Sequence, residues 1–410
     1  MSSFLQLVLL LSILLLAAKS AGYVSTKFGQ PSVLGELLVG IILGPTLLDI
    51  LHWPVFSEHI LGEIVENLAE IGVLLLMFIA GLELHLSELA HNSKVSAFAG
   101  ILGVILPVSL GYLVGTSLGF TSQEAIFIGL VLGATSVSIS AQTLMELKVL
   151  RSRVGLGLLG AAVFDDVLVI LFFSTFLAIV SGQPGLEAVG ILFIHMVIFL
   201  AVSVLFGLRI LPFIVRKVST LPISQGVLVL ALVVMFVYGL TAELVGNLAA
   251  ITGTFLAGLM FARSPEKERL ERGINSLTYG FFVPIFFVGI GLAVNSRQLE
   301  AGVLWLFIGI TVAGILGKLV GAGLGARLAN FSWRESAQLG AGMVSRGEVG
   351  LILASVGMEY KLIGEFEFSA VIGMVVITTL ITPPMLRALF PVQPKAVPAI
   401  RKISQEKEID

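Results

Sequence analysis

Apolar residues in this chain run on without a break, one long stretch after another, with polar residues collected at the joins. Thirteen spans are predicted, at 4–23, 32–50, 64–82, 95–117, 122–147, 154–181, 187–214, 222–242, 246–262, 277–296, 301–327, 335–359 and 366–389. A run of about 20 apolar residues crosses roughly 30 Å of hydrocarbon. Lipid offers backbone groups no partners, so spanning elements are helices or a closed barrel. Barrel strands leave alternating segments of about ten residues. These runs are continuous, and the pattern predicts an all-α polytopic membrane protein.

The joins are asymmetric in charge. Of the 24 Lys and Arg residues, 20 fall on one side of the predicted spans: Lys19 and Lys27, Lys94, the Lys148 to Arg153 cluster, and so on to the C-terminus. Only Arg297 and Lys361 fall on the other side. By the positive-inside rule the N-terminus is outside and the C-terminus cytoplasmic. The first span lacks a basic n-region and reads as a membrane helix rather than a removed signal. Trp53, Trp305 and Trp333 lie near span ends, as an aromatic belt expects.

Composition agrees with this picture. Of 410 residues 57% are hydrophobic and 12% charged, with mean hydropathy +1.05, whereas soluble domains carry about 25% charged residues. Net charge is −2, so no nucleic-acid partner is expected. Cysteine is absent, which removes disulfides and thiolate metal sites. No nucleotide-binding fingerprint of the G-x-G-x-x-G type follows a strand. The chain is expected to be no enzyme and to carry no cofactor. The predicted membrane domain is 1–390, with a short cytoplasmic tail at 391–410 and a solvated link near 263–275.

Charges inside the spans are the informative exceptions, because they are costly in lipid. At about 1.5 Å per helical residue, Asp165 and Asp166 lie roughly 17–18 Å from the cytoplasmic end of their span. Lys318 lies roughly 15 Å from that end, Arg346 and Glu348 roughly 17–20 Å, and Thr135 roughly 18 Å. Four helices therefore bring polar groups to one plane near mid-membrane. Adjacent aspartates point about 100° apart, so one can pair with Lys318 while the other faces a water-filled cavity. A carboxylate out of water favours its neutral form and a nearby ammonium opposes this. Such a group holds either a proton or a small hard cation. The alternative is a static ion pair locking two helices. Arg346 and Glu348, two residues apart, do not face each other on a regular helix; they read as a structural polar network tying frayed ends.

Two spans look interrupted. One contains Gly133-Ala134-Thr135-Ser136 and the other Ser345-Arg346-Gly347-Glu348, and small or polar residues at mid-depth suit discontinuous helices facing a substrate. Their span numbers differ by seven. That is the spacing of two inverted six-helix repeats, 1–181 and 222–390, joined by a linking helix at 187–214. Close packing through small residues is the other reading. Glu36 and Glu83 fall near span ends, where contact with water gives them ordinary roles, and His195 reads as packed or interfacial.

Several segments, in order, carry a resemblance: Gln30-Pro31-Ser32-Val33-Leu34-Gly35-Glu36, Phe78-Ile79-Ala80-Gly81-Leu82-Glu83, Ala134-Thr135-Ser136-Val137, Val163-Phe164-Asp165-Asp166, Leu316-Gly317-Lys318 and Ser345-Arg346-Gly347-Glu348. Together they resemble the second monovalent cation:proton antiporter family, particularly its NapA-like sodium/proton members. The resemblance implies a homodimer in a bacterial or archaeal plasma membrane, with crossed broken helices and elevator-type alternating access. It implies that Asp166 is the main carboxylate for transported Na⁺ (or Li⁺) and H⁺, that Asp165 pairs with Lys318 when no cation is bound, and that Thr135 lies beside the ion. It further implies electrogenic exchange of two protons per sodium ion. Kef-like K⁺/H⁺ members share the fold but usually carry a nucleotide-binding domain, for which this chain is too short. A sodium-coupled organic-solute symporter or a channel are the remaining alternatives; neither has an evident use for two aspartates and a lysine.

Overall fold

A computed structural model describes residues 1–56, 60–84, 92–180, 185–293 and 304–390. The expected tail at 391–410, Arg297 and the side chain of Glu348 lie outside the described residues. The described chain is helical, with α1 Ser3–Lys27, α2 Ser32–Leu43, α3 Ile60–Leu82, α4 Ser93–Ser117, α5 Ser122–Gly133, α6 Val137–Glu146, α7 Arg153–Val180, α8 Gly185–Arg209 and α9 Leu211–Ser219. There follow α10 Gly226–Leu244, α11 Ala250–Phe261, α12 Lys267–Leu277, α13 Val283–Leu292, α14 Leu304–Leu328, α15 Trp333–Gly342, α16 Glu348–Glu359 and α17 Glu365–Leu389. Ten helical segments among the described residues are long and apolar enough to cross a membrane unaided. The three other expected spans coincide with shorter helices: α2, α11, and the pair α15 and α16. Outward faces are apolar, as Ile194, Val197, Ile198 and Leu205 on α8 illustrate.

One expectation is corrected. The link at 263–275 is mostly helix: α12 runs through a π-turn at Thr278–Phe282 into α13. Its charges sit on one face, while Leu270 and Ile274 are buried. Residues four apart share a helix face, so this segment is amphipathic, and its high charge masked that period.

The helices pack as two groups. In the first, α4 lies between α7 and α14, with α5, α6, α15, α16 and α17 around them; in the second, α3 packs on α11, α10 and α13, and α13 on α2 and α1. Each group draws on both halves of the chain. The α4–α14 contact is backbone-close, because Gly317, Gly321 and Gly325 recur every four residues on one face of α14. A Cβ on Gly321 would stand 2.4 Å from the Leu102 carbonyl oxygen, so only glycine fits. Close approach through small residues is a usual device of membrane helices. It fixes the height of Lys318, the neighbour of Gly317, against α7 across α4.

Two helices are broken, α5/α6 at 134–136 and α15/α16 at 343–347, and the breaks touch. The Ser136 amide donates to the Ser345 carbonyl at 2.9 Å, and Ser345 Oγ donates to the Ser136 carbonyl at 2.6 Å. Ser140 Oγ donates to the Gly342 carbonyl. A Cβ on Gly347 would meet Ser136 Oγ at 2.6 Å, so this contact too requires glycine.

A break in lipid strands the last carbonyls of each helix. Fully buried Arg346 answers several of them. Its Nη1 donates to the Val344 carbonyl at 2.6 Å and the Met343 carbonyl at 3.3 Å, just past the end of α15. Its Nη2 donates to Leu132 of α5 at 2.8 Å and to Gly314 of α14 at 3.1 Å. Its positive charge also suits the negative ends of both half-helices. Replacing Arg346 with Met keeps the volume and removes the donors, and each unsatisfied buried acceptor costs about 1–3 kcal/mol. Arg346→Met is therefore expected to melt several degrees below wild type in a detergent thermal-shift assay.

Candidate functional site

The site forms where α7 passes the two breaks. α7 is a continuous helix, so Asp165 and Asp166 leave it in different directions. Asp165 turns toward α14. Lys318 Nζ donates to Asp165 Oδ2 at 2.8 Å, with the side chains 0% and 1% exposed. Thr135, held at the α5/α6 break, donates its hydroxyl to the same oxygen. Asp165 Oδ1 is buried without a hydrogen-bond partner among the described residues. Three of the expected residues thus meet on one carboxylate.

Asp166 turns the other way. It lines a cavity of about 10 Å³, on the order of one water-sized occupant. Apolar side chains from both groups of helices enclose it, with Val137 and Leu159 on one side and Met77, Ile251 and Phe255 on the other. Asp166 Oδ2 accepts a hydrogen bond from Thr252 Oγ at 2.9 Å. Thr135 therefore sits with Asp165 rather than Asp166. A hydroxyl beside Asp166 comes instead from a residue that sequence reasoning passed over. The depth arithmetic could have found it, since Thr252 lies nine residues before Phe261, roughly 14 Å. Many other hydroxyl residues lie at similar depths, so that signal alone does not discriminate.

Arg346 is placed beside the breaks and bonds only carbonyl oxygens among its described partners. Glu36, expected near water, is 3% exposed and pairs with Lys19 at 3.4 Å. Nearby, Glu146 of α6 accepts from the Ser32 amide at 2.7 Å, at the start of α2. His195 is exposed on α8. No cluster of three or more His, Cys, Asp or Glu residues forms a metal site among the described residues. The arrangement offers two carboxylates, hydroxyls and one buried ammonium. That chemistry suits a proton or a small hard cation.

Residues 10–391 match the family model described as "Sodium/hydrogen exchanger, transmembrane". The chain is 40% identical over 391 residues to the Na(+)/H(+)-K(+) antiporter GerN of Bacillus cereus, covering 95% of this chain and 97% of that protein. It is 33% identical to the high-affinity Na(+)/H(+) antiporter NhaS3 of Synechocystis, over 93% of this chain and 89% of that one. The solved sodium proton antiporter MjNhaP1 of Methanocaldococcus jannaschii superposes with a TM-score of 0.65 at 18% identity, over 94% of this chain and 97% of that one, a likeness of fold. With almost its whole length matched in this way, the chain belongs to the sodium/hydrogen exchanger family and is a transporter, not an enzyme.

Proposed function

We propose that this chain exchanges protons for Na⁺ or Li⁺, with Asp166 holding the two in turn. One observation carries the reading: Lys318 and Thr135 both engage Asp165, while Asp166 faces a cavity of single-ion size. Protonation of Asp166 removes the charge that attracts the cation, and a bound cation displaces the proton. Competition for one carboxylate is sufficient for coupling. The Asp165–Lys318 pair is the second element: when Asp165 turns to share a cation, Lys318 loses its partner and can release a proton. Two protons per sodium ion follow, moving one net charge. A potential of about 150 mV then contributes roughly 3.5 kcal/mol, or about a 300-fold cation gradient.

Several finer features belong to the same reading. The narrower branch is the NapA-like one, favoured by the adjacent aspartates with Lys318. The functional unit is a homodimer in a bacterial or archaeal plasma membrane. Two inverted repeats, 1–181 and 222–390, flank the linking helix, and the paired breaks seven spans apart support this. Elevator motion of the first helix group against the second is supported by a site that lies at their boundary. Potassium is a second candidate cargo, because the name of GerN includes it.

Transport is tested by cation-induced dequenching of a pH dye in energised proteoliposomes. Wild type is expected to respond to Na⁺ or Li⁺ and Asp166→Asn to be silent. A response to K⁺ alone would reassign the cargo, and normal transport by Asp166→Asn would overturn the mechanism. Lys318→Met leaves Asp165 buried without its cation, which costs about 3–5 kcal/mol. It should lower the melting temperature, and adding Asp165→Asn should restore most of the loss. Orientation is tested with single cysteines in a chain that has none: in whole cells Lys361→Cys should react with an impermeant maleimide, and Lys94→Cys only after permeabilisation.

A further inference from the structure

The hydrogen bond from Thr252 to Asp166 has an unusual position. Thr252 belongs to α11, which packs mainly on α3 and α10, while Asp166 belongs to α7, which packs mainly on α4 and also on α5, α6 and α15; the linking helix α8 touches both. The bond therefore crosses from one helix group to the other. Both residues are buried, Thr252 to 3% exposure and Asp166 to 5%, and both line the same small cavity.

The local fold accounts for the placement. α10 stops at Leu244, and Asn247 takes a left-handed conformation with φ 51°. α11 then starts at Ala250, and the Thr252 amide closes its first turn onto the Ala249 carbonyl at 2.9 Å. Thr252 thus lies in the first turn of a helix, where the partial positive charge favours a nearby carboxylate. Its backbone position and its hydroxyl act in the same direction on Asp166.

We propose that Thr252 is a positioning residue for the cargo carboxylate, supplying from the opposite helix group the hydroxyl that orients Asp166 toward the cavity. This rests on the exchange reading given above and adds a residue to it. A hydroxyl suits every form that Asp166 must take, since it can donate as well as accept. It donates to the ionised carboxylate, accepts from the protonated one, and offers an oxygen to a hard cation held between the two. Valine has the same shape and does none of these. Because the bond spans the boundary, sliding one group past the other breaks it. Asp166 keeps this donor in one arrangement of the groups only, so its hold on the cation differs between the two.

The test is the dequenching assay run at varied Na⁺ and Li⁺ on Thr252→Ser, Thr252→Cys and Thr252→Val, with Asp166→Asn alongside. Loss of a hydrogen bond to a charged group predicts an apparent KM raised about tenfold in Thr252→Val, with the maximal rate changed less than KM. Thr252→Ser keeps the hydroxyl and should stay near wild type, with the weakly donating thiol of Thr252→Cys between them. A wild-type KM in Thr252→Val overturns the proposal. So does an order set by size, with Ser worse than Cys, and that comparison decides the matter even if the Val variant does not fold. If Asp166→Asn is silent while the Thr252 series is flat, the positioning role alone falls. If Asp166→Asn transports normally, the exchange reading falls and takes this role with it.

Discussion

Hydrocarbon gives an interrupted helix no solvent in which to lose its hydrogen bonds, and the whole architecture answers that constraint. Two breaks at mid-membrane expose carbonyl groups that α-helical continuation would have satisfied. They are brought against each other so that Ser136 and Ser345 serve each other's backbone. Arg346 then supplies a fan of donors to α5, α14 and the segment that follows α15. A guanidinium suits this task because its donors are fixed in a planar fork. Once the breaks are stabilised, hydroxyl groups can be presented at a depth where no loop would otherwise be tolerated, and Thr135 is one of them.

The second dependence is electrostatic. A lone lysine or aspartate at this depth would carry a large penalty, and pairing is what allows both to be buried. Lys318 reaches Asp165 because the glycine face of α14 lets its backbone lie directly on α4. With Asp165 so engaged, Asp166 is the carboxylate that meets the cavity. Packing of residues as small as glycine thus decides which of two identical neighbours has which surroundings.

Much of this was legible in the sequence, and the reasons differ by feature. Continuous apolar runs report helices directly, since no other open element survives in lipid. The breaks showed through Ala134-Thr135-Ser136 and Ser345-Arg346-Gly347, small and polar where a span should be apolar. Asp165, Asp166 and Lys318 stood out because charge at that depth has no inexpensive explanation. Three things stayed hidden from the residue pattern itself. Which aspartate faces Lys318 depends on helix rotation, which neighbouring residues on one helix leave open, and only the family resemblance pointed to Asp165. Thr252 was one hydroxyl among many, and its partner lies 86 positions away. The helix at Lys267–Leu277 was concealed by its own charges, because a solvated face dominated the count while Leu270 and Ile274 carried the period.

The interleaving of the two helix groups has a consequence for how the protein is made. Asp165 and Lys318 are 153 positions apart. At a synthesis rate of about 5–20 residues per second, roughly 8–30 seconds separate their emergence. Over that interval α7 is complete while α14 has yet to be translated, and the carboxylates must be accommodated without the ammonium. A neutral, protonated Asp165 or a water-lined insertion intermediate meets that requirement. The ion pair is then assembled late, as α14 slides its glycine face onto α4, and the first half of the chain waits for the second before the exchange site exists at all.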